Sequence, residues 1–347
     1  MTIKDRKIRI AVVGCGRISK NHFGSIEQLT TEYELVAVCD NNPEVLLEHT
    51  SKYQVPGYAS IDELLINEDL DLVTLCTPSG IHASQTIKAA KAKVHVITEK
   101  PMATKWEDGL EMVRVCEEAG VRLFVVKQNR RNSTLRLLKR AMTEKRFGKI
   151  HMVHLNVFWT RPQEYYDRAA WSGTWHMDGG AFMNQATHYV DLMHWLIGPV
   201  EKVHAITSTH REIEVEDTGV VNIKWRNGAL GSMAVTMCTY PNNLEGSITI
   251  LGEKGTVRIG GLAVNDIQEW KFDESKDYDQ EVEFANYETT SVYGFGHPPY
   301  FKNVADVLRG LAEPETDGRE GLKSLELLIS IYRSARDHKE VGLPLDL

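Results

Sequence analysis

At 347 residues the chain is long enough for two domains and a sizeable core, and 42% hydrophobic with 25% charged residues is an ordinary globular composition. The formal net charge of −8 disfavours nucleic acid as a partner, because phosphate binding needs a basic face. No run of about 18 apolar residues occurs, which excludes a transmembrane helix and a membrane partner of that kind.

The opening stretch MTIKDRKIRIAVVG reads as a strand running into a glycine turn, without the apolar core or cleavage site of a signal peptide. From there to residue 127, apolar β-branched segments alternate with helical patterns. The strand candidates are KIRIAVVG, YELVAVCD, DLVTLCT, VHVITEK and VRLFVVK, with a weaker one around Tyr58. Helical patterns cover Arg17 to Leu29, Pro43 to Tyr53, Ile61 to Ile66, His82 to Ala90 and Lys105 to Ala119. Pro43 suits a first helical turn and Gly120 a C-terminal cap. This alternation predicts an α/β fold: a doubly wound, parallel Rossmann sheet over residues 1–127.

Past residue 127 the texture changes. One helix, Ser133 to Lys145, leads into IHMVHLNVFW, and further strands follow without intervening helices: VEKVHAITST, EDTGVVNIKW, LGSMAVTMCT, EGSITILGEKGTVRIG and AVNDIQEWKF. RNG at 226–228 and GEKG at 252–255 read as hairpin turns. Helices at Phe301 to Leu311 and Leu322 to His338 end the chain. Residues 128–347 are therefore expected to form an α+β domain with a large, mainly antiparallel sheet. No long linker separates the halves, so the reading expects tightly joined domains with a cleft.

The first strand ends in GCGRIS. Gly14 permits the tight turn, Gly16 lets backbone approach a pyrophosphate, Arg17 and Ile18 complete the turn, and Ser19 is small enough for helix–strand packing. Asp40 ends the second strand, where a carboxylate accepts from ribose hydroxyls and repels a 2′-phosphate, so NAD is favoured over NADP. CTPSGIH places Thr77 and Pro78 beside the nicotinamide half, with His82 as a helix cap or supporting group. VHVITEKPMAT ends a buried strand on Glu99, Lys100 and Pro101, so a lysine is held out where an open parallel sheet binds ligands. Its bland alternative is an ordinary bridge to Glu99. The five cysteines, Cys15, Cys39, Cys76, Cys116 and Cys238, show no C-x-x-C spacing and argue for reduced thiols in the cytoplasm.

In the second half, KQNRRN offers neutral hydrogen bonds from Gln128 and Asn129 and a fork for carboxylate or phosphate from Arg131, against the alternative that Arg130 and Arg131 are merely solvated. FWTRPQEYYDRAAW adds aromatics and Arg161, as a stacking loop or a subunit contact. After Gly179-Gly180, Asn184, His188 and Asp191 fall at i, i+4 and i+7, which puts them on one helix face able to orient a general base. No metal is expected there, since His188 and His194 are six apart and point to nearly opposite sides of a helix.

GCGRIS, Asp40, CTPSGIH, EKP and Gly-Gly-x-x-x-Asn-x-x-x-His together resemble the glucose-fructose oxidoreductase/inositol dehydrogenase (Gfo/Idh/MocA) family over essentially the whole chain. Many members carry Asp where this chain has Asn184, so an Asp–His dyad is not assumed. VVKQNRRN, VFWTRPQEYYD, GTWHMDGGAFMNQATHYVDL and TYPNNLEGSITILGEKGTVRIGG resemble those members that oxidise the 3-hydroxyl of UDP-N-acetyl-2-amino-2-deoxyglucuronate, ahead of an aminotransferase in lipopolysaccharide O-antigen biosynthesis. The resemblance implies an NAD-dependent nucleotide-sugar dehydrogenase, usually a homotetramer. It casts His188 as general base oriented by Asn184, and Lys100 as stabiliser of the developing alkoxide, with the two roles exchangeable. Gly14, Gly16, Arg17, Ile18, Asp40, Thr77, Pro78, His82, Glu99, Lys100 and Gln128 are then expected at the cofactor. Lys100, Asn129, Arg131, Arg161, Asn184 and His188 are expected at the substrate. Three alternatives remain: another sugar or cyclitol dehydrogenase, an NAD-dependent glycosidase working by transient oxidation at carbon 3, and a non-catalytic NAD-binding regulator.

Overall fold

The computed structural model describes residues 2–289, 292 and 294–345, which divide into two compact units. The first comprises Met1–Lys127 and His297–Leu325. Its strands are β1 (Ile8–Val13), β2 (Tyr33–Cys39), β3 (Gly57–Tyr58), β4 (Leu72–Leu75), β5 (His95–Thr98) and β6 (Leu123–Val125), in the order β3-β2-β1-β4-β5-β6. All five pairings are parallel. Between them run α1 (Ser19–Gln28), α2 (Pro43–Tyr53), α3 (Ile61–Asn67), α4 (His82–Lys91) and α5 (Trp106–Ala119). This is the doubly wound sheet that the alternating sequence predicts, with the strand order reversing between β1 and β4.

Local chemistry explains the boundaries. The Asn42 side chain accepts from the backbone N–H of Glu44 at 2.9 Å and of Val45 at 3.3 Å, capping α2 ahead of Pro43. Gly120 closes α5 at φ +70°, a conformation glycine adopts without a Cβ penalty. β4 and β5 are buried along their whole length, so they read as continuous apolar runs rather than as alternation.

One boundary needs correction. The sequence reading assigns all of 128–347 to the second domain, but 297–325 belongs to the first unit. The helix His297–Leu308 lays Phe301, Val304 and Ala305, all fully buried, into the core shared by Ile10, Val12, Phe23 and Leu72. Tyr33 donates its hydroxyl to the Phe301 carbonyl at 2.6 Å. Sequence order could not reveal this return, because only tertiary contact shows which apolar face a helix covers.

The second unit comprises Gln128–Gly296 and Glu326–Leu347. Its strands are β7 (Ile150–Phe158), β8 (Val200–Ser208), β9 (Thr218–Trp225), β10 (Leu230–Thr236), β11 (Glu245–Gly252), β12 (Gly255–Gly260), β13 (Asp266–Phe272) and β14 (Val341–Gly342). They form one sheet in the order β13-β12-β11-β7-β10-β9-β8-β14. Both expected hairpins form, β9–β10 across RNG and β11–β12 across GEKG. The sheet is mixed: β7 pairs with β10 in parallel and the other pairings are antiparallel. One face is packed. The other exposes Ile206 and Val220, paired across β8 and β9, and Leu230 beside Met152 on β10 and β7. Among the described residues, no helix is long and apolar enough to cross a membrane.

Candidate functional site

The dinucleotide turn follows from sterics. Gly14 stands at φ +86°, and a Cβ there would lie 2.8 Å from the Cys76 carbonyl carbon and the Thr77 nitrogen, so the turn after β1 abuts the chain leaving β4. At Gly16 an added Cβ would meet nothing within 4 Å, so the backbone is open to a ligand. Arg17 and Ile18 remain in the turn, and α1 starts at Ser19, whose hydroxyl donates to the Gly16 carbonyl at 2.7 Å. The first turn of α1 has no side-chain cap and no acidic residue, which leaves its N–H groups and positive dipole end suited to a pyrophosphate. Asp40, just past β2, accepts from Cys15 N at 2.7 Å on one oxygen and from Asn42 N at 2.8 Å on the other. These bonds aim a partly exposed carboxylate beside the glycine turn and leave lone pairs for ribose hydroxyls. The residues present therefore fit NAD.

At the end of β4, Thr77 donates its hydroxyl to Gln85 at 2.6 Å, and Pro78 leads into a short helical turn. His82 opens α4, fully buried. Its ring nitrogens lie 2.8 Å from the Thr77 carbonyl oxygen and 2.9 Å from that of Pro101. Burial lowers the His82 pKa, against the pull of those two carbonyls. The ring thus ties the β4 loop to the residue after Lys100. Lys100 itself is half-buried beyond β5, and its backbone N–H donates to Glu99 Oε2 at 3.1 Å.

In the second unit, Gln128–Arg131 form a short 3₁₀ turn. Gln128 Nε2 lies 3.0 Å from His188 Nε2, so the amide fixes one edge of the imidazole. Asn129 is buried, and among the described residues its Oδ1 has no hydrogen-bond partner, an acceptor available to a ligand or a water. Arg131 is half-buried. Arg161 donates to the Thr160 carbonyl at 2.7 Å and lies over the rings of Trp159 and Tyr165 at 5.5 and 5.3 Å.

Two expectations change here. Arg130 is not solvated: it is 6% exposed and grips Asp191 through two hydrogen bonds of 2.7 Å. Asp191 therefore forms a buried bidentate pair with Arg130. Nor do Asn184, His188 and Asp191 share a regular helix face. Asn184 lies in a π-helical turn, Ala181–Gln185, whereas His188 and Asp191 lie in the α-helical turn Thr187–Leu192. The wider π turn breaks the i, i+4 register that the spacing implied, and such bulges recur at functional sites.

Asn184 Nδ2 donates to Asp178 Oδ1. Asp178, 2% exposed, also accepts from Gly173 N at 2.7 Å. A carboxylate thus stands behind Asn184, supplied from outside the motif position that carries Asp in many relatives. The signal was visible in MDGG, where an acid directly precedes the glycine pair. The glycines are explained by Glu216 and by backbone shape: Gly179 adopts φ +77°, and a Cβ on Gly180 would collide with the Glu216 carboxylate.

Residues 8–127 match the NAD-binding Rossmann fold of the Gfo/Idh/MocA oxidoreductase family, and residues 139–343 match its C-terminal alpha/beta domain. The chain belongs to that family. As a family oxidoreductase it is an NAD enzyme, and the glycine turn with Asp40 lies within the matched NAD-binding domain. The chain is 62% identical to the WlbA dehydrogenase from Bordetella pertussis, whose crystal structure holds NADH and UDP-GlcNAcA; the match has a TM-score of 0.97 and covers 99% of this chain and 100% of that one. It is also 62% identical to the WlbA dehydrogenase from Chromobacterium violaceum, again with NADH and UDP-GlcNAcA, at a TM-score of 0.96 and coverage of 100% and 99%. A D-apiose dehydrogenase from Paraburkholderia graminis is 26% identical over 97% of this chain and 90% of its own length.

Proposed function

We propose that this protein oxidises the 3-hydroxyl of UDP-N-acetyl-2-amino-2-deoxyglucuronate to the 3-keto sugar, with NAD as oxidant. The observation that carries the reading is 62% identity along the full length to two dehydrogenases crystallised with NADH and UDP-GlcNAcA. The N-terminus of α1, Gly14, Gly16 and Asp40 hold the dinucleotide, with Thr77, Pro78, His82, Glu99 and Gln128 supporting it. When bound, NAD accepts the hydride from carbon 3 of the sugar. His188 takes the proton of the 3-hydroxyl, held by Gln128 and the Asp178-backed Asn184. Lys100 donates a hydrogen bond to the same oxygen as it gains charge. Arg131, Asn129 and Arg161 bind the anionic nucleotide and the uronate carboxylate.

The product, a ketone, is the substrate an aminotransferase requires, which fits a place in O-antigen sugar biosynthesis. A homotetramer is supported by the open sheet face with its exposed Ile206, Val220 and Leu230, an apolar surface of the kind subunits cover. The absence of C-x-x-C spacing supports a reducing, cytoplasmic setting. Incubation with NAD and a panel of UDP-sugars tests the reading: absorbance reports NADH, and mass analysis reports loss of two hydrogens from the sugar. Oxidation of the uronate and not of the parent hexose is expected. Release of UDP without a ketone, or no reaction with any UDP-sugar, overturns it.

A further inference from the structure

Glu99 is the most unusual charge in the first unit. Its side chain is 5% exposed, at the end of an apolar strand, and it is met by two equally buried histidines. His22, on α1, directs Nε2 to Glu99 Oε1 at 2.8 Å, while its Nδ1 meets the Thr74 hydroxyl at 2.8 Å. His297 directs Nε2 to the same Oε1 from 3.8 Å, and its ring lies 5.6 Å from that of His22. Phe301 closes the far side of His22 in an edge contact at 5.3 Å. The second carboxylate oxygen takes the backbone N–H of Lys100. Four elements thus converge on one carboxylate: the helix of the dinucleotide turn, β4, the end of β5 and the helix His297–Leu308.

These three residues also offer ligand atoms close enough to suggest a cation. The 2.8 Å contact between His22 and Glu99 is a hydrogen-bond distance, shorter than the separation of two ligands about a tetrahedral zinc, so a proton lies between them. Burial by itself would raise the Glu99 pKa, yet the hydrogen bond from His22 and the nearby His297 ring hold it well below the usual carboxylate range. His82 and Cys76 also interact with it electrostatically, and Lys100 follows it directly in the chain. Neither histidine belongs to the dinucleotide turn or the EKP motif, and their chain positions are 275 residues apart (297 − 22).

We propose that His22 and His297 are positioning residues for the reaction: they clamp Glu99 in one ionised rotamer, and Glu99 in turn fixes the backbone from which the Lys100 ammonium is presented. Lys100 is then held from both sides, by Glu99 before it and by the His82–Pro101 contact after it. The proposal rests on Lys100 acting in sugar oxidation. It predicts effects on turnover rather than on NAD affinity, because neither histidine needs to touch the dinucleotide.

His22→Phe in the full-length protein should lower kcat by about 10- to 100-fold, the scale of a slightly misplaced catalytic group, while NAD affinity stays within about threefold. It should also add an acid limb to the kcat profile, since a Glu99 without its donor gains a proton as pH falls. His22→Gln, which retains a donor near the Nε2 position, should recover most of the rate. Combined with Glu99→Gln, His22→Phe should cost little beyond Glu99→Gln alone, because both act through one carboxylate. Infrared titration of the carboxyl stretch, assigned with Glu99→Gln, reads the clamp without turnover: Glu99 should stay ionised across neutral pH in the wild type and titrate in His22→Phe. Normal kcat in a folded His22→Phe protein alongside a slow Lys100→Met overturns the positioning role alone. Multiplicative losses in the double variant, a wild-type Glu99 that titrates near neutrality, or stoichiometric metal in the purified protein also overturn it. A wild-type protein inert toward UDP-sugars instead removes the functional reading, and the infrared result still decides the clamp.

Discussion

Glu216 offers a perturbation whose size can be worked out from its surroundings. It is 3% exposed, and its Oε1 accepts from Phe182 N at 3.0 Å and from the Tyr332 hydroxyl at 2.8 Å. Its backbone carbonyl takes Ala181 N at 3.0 Å, and Tyr332 in turn accepts from Met183 N at 3.0 Å. The residue therefore caps the π turn that carries Asn184. No positive partner balances the charge: Oε2 has no hydrogen-bond partner among the described residues, and Asp217 adds repulsion. Burial raises the pKa from 4.5 to about 7, with the hydrogen bonds pulling only partly the other way. The folded state then binds the proton more tightly than the unfolded chain, so stability falls as pH rises from 4.5 to about 7 and is level beyond it. A shift of roughly 2.5 units corresponds to about 3 kcal/mol. Glu216→Gln keeps the Oε1 acceptor and cannot ionise. Urea unfolding of both proteins should show the variant gaining about 3 kcal/mol relative to wild type between about pH 4 and about pH 8, whatever its constant offset. A difference that stays flat over that range refutes the assignment of an uncompensated buried carboxyl.

Lys100→Met should keep the fold and NAD affinity but lower single-turnover hydride transfer by about 100- to 1,000-fold, as loss of one electrostatic donor does. Adding His188→Asn should slow it only a little further if both act on one proton, so fully multiplicative losses would count against shared action. Asp40→Ala should narrow the preference for NAD over NADP in calorimetry, because the carboxylate facing a 2′-phosphate is gone; equal wild-type affinities would refute that role. Arg131→Ala should weaken UDP-uronate binding more than NAD binding, and an unchanged sugar dissociation constant would return Arg131 to the scaffold. Asp191→Asn removes the carboxylate charge facing the buried Arg130 and should destabilise by about 3–5 kcal/mol in urea unfolding, whereas a loss under about 1 kcal/mol would mean that the pair is solvated.

The Rossmann half was legible in the sequence because its signals are local. A β-branched run, a glycine turn, an Asn-Pro helix start and a glycine stop each act through neighbouring backbone, and Gly14, Asp40, Pro43 and Gly120 all stand where that chemistry requires. The eight-stranded sheet was legible as strands with two hairpins, since turn residues and period-two alternation are local as well. The parallel β7–β10 pairing was not, because partner choice between strands that are distant in the chain depends on the packed whole.

At the site, residue types were readable and partnerships were not. The sequence offered Asn184, His188 and Asp191 on one face, with two arginines free to be solvated. Tertiary structure instead gave Asp191 to Arg130, put Asp178 behind Asn184 and set Gln128 against His188. Asn184 itself sits in a π turn, which a 3.6-residue period cannot show. Helix His297–Leu308 shows the same limit from the other side, since its apolar stripe announces burial but does not say against which domain. Hydrophobic pattern and turn chemistry are properties of short segments. The pairing of buried polar groups, such as His22 and His297 around Glu99, is decided by desolvation, which exists only once distant segments have excluded water together.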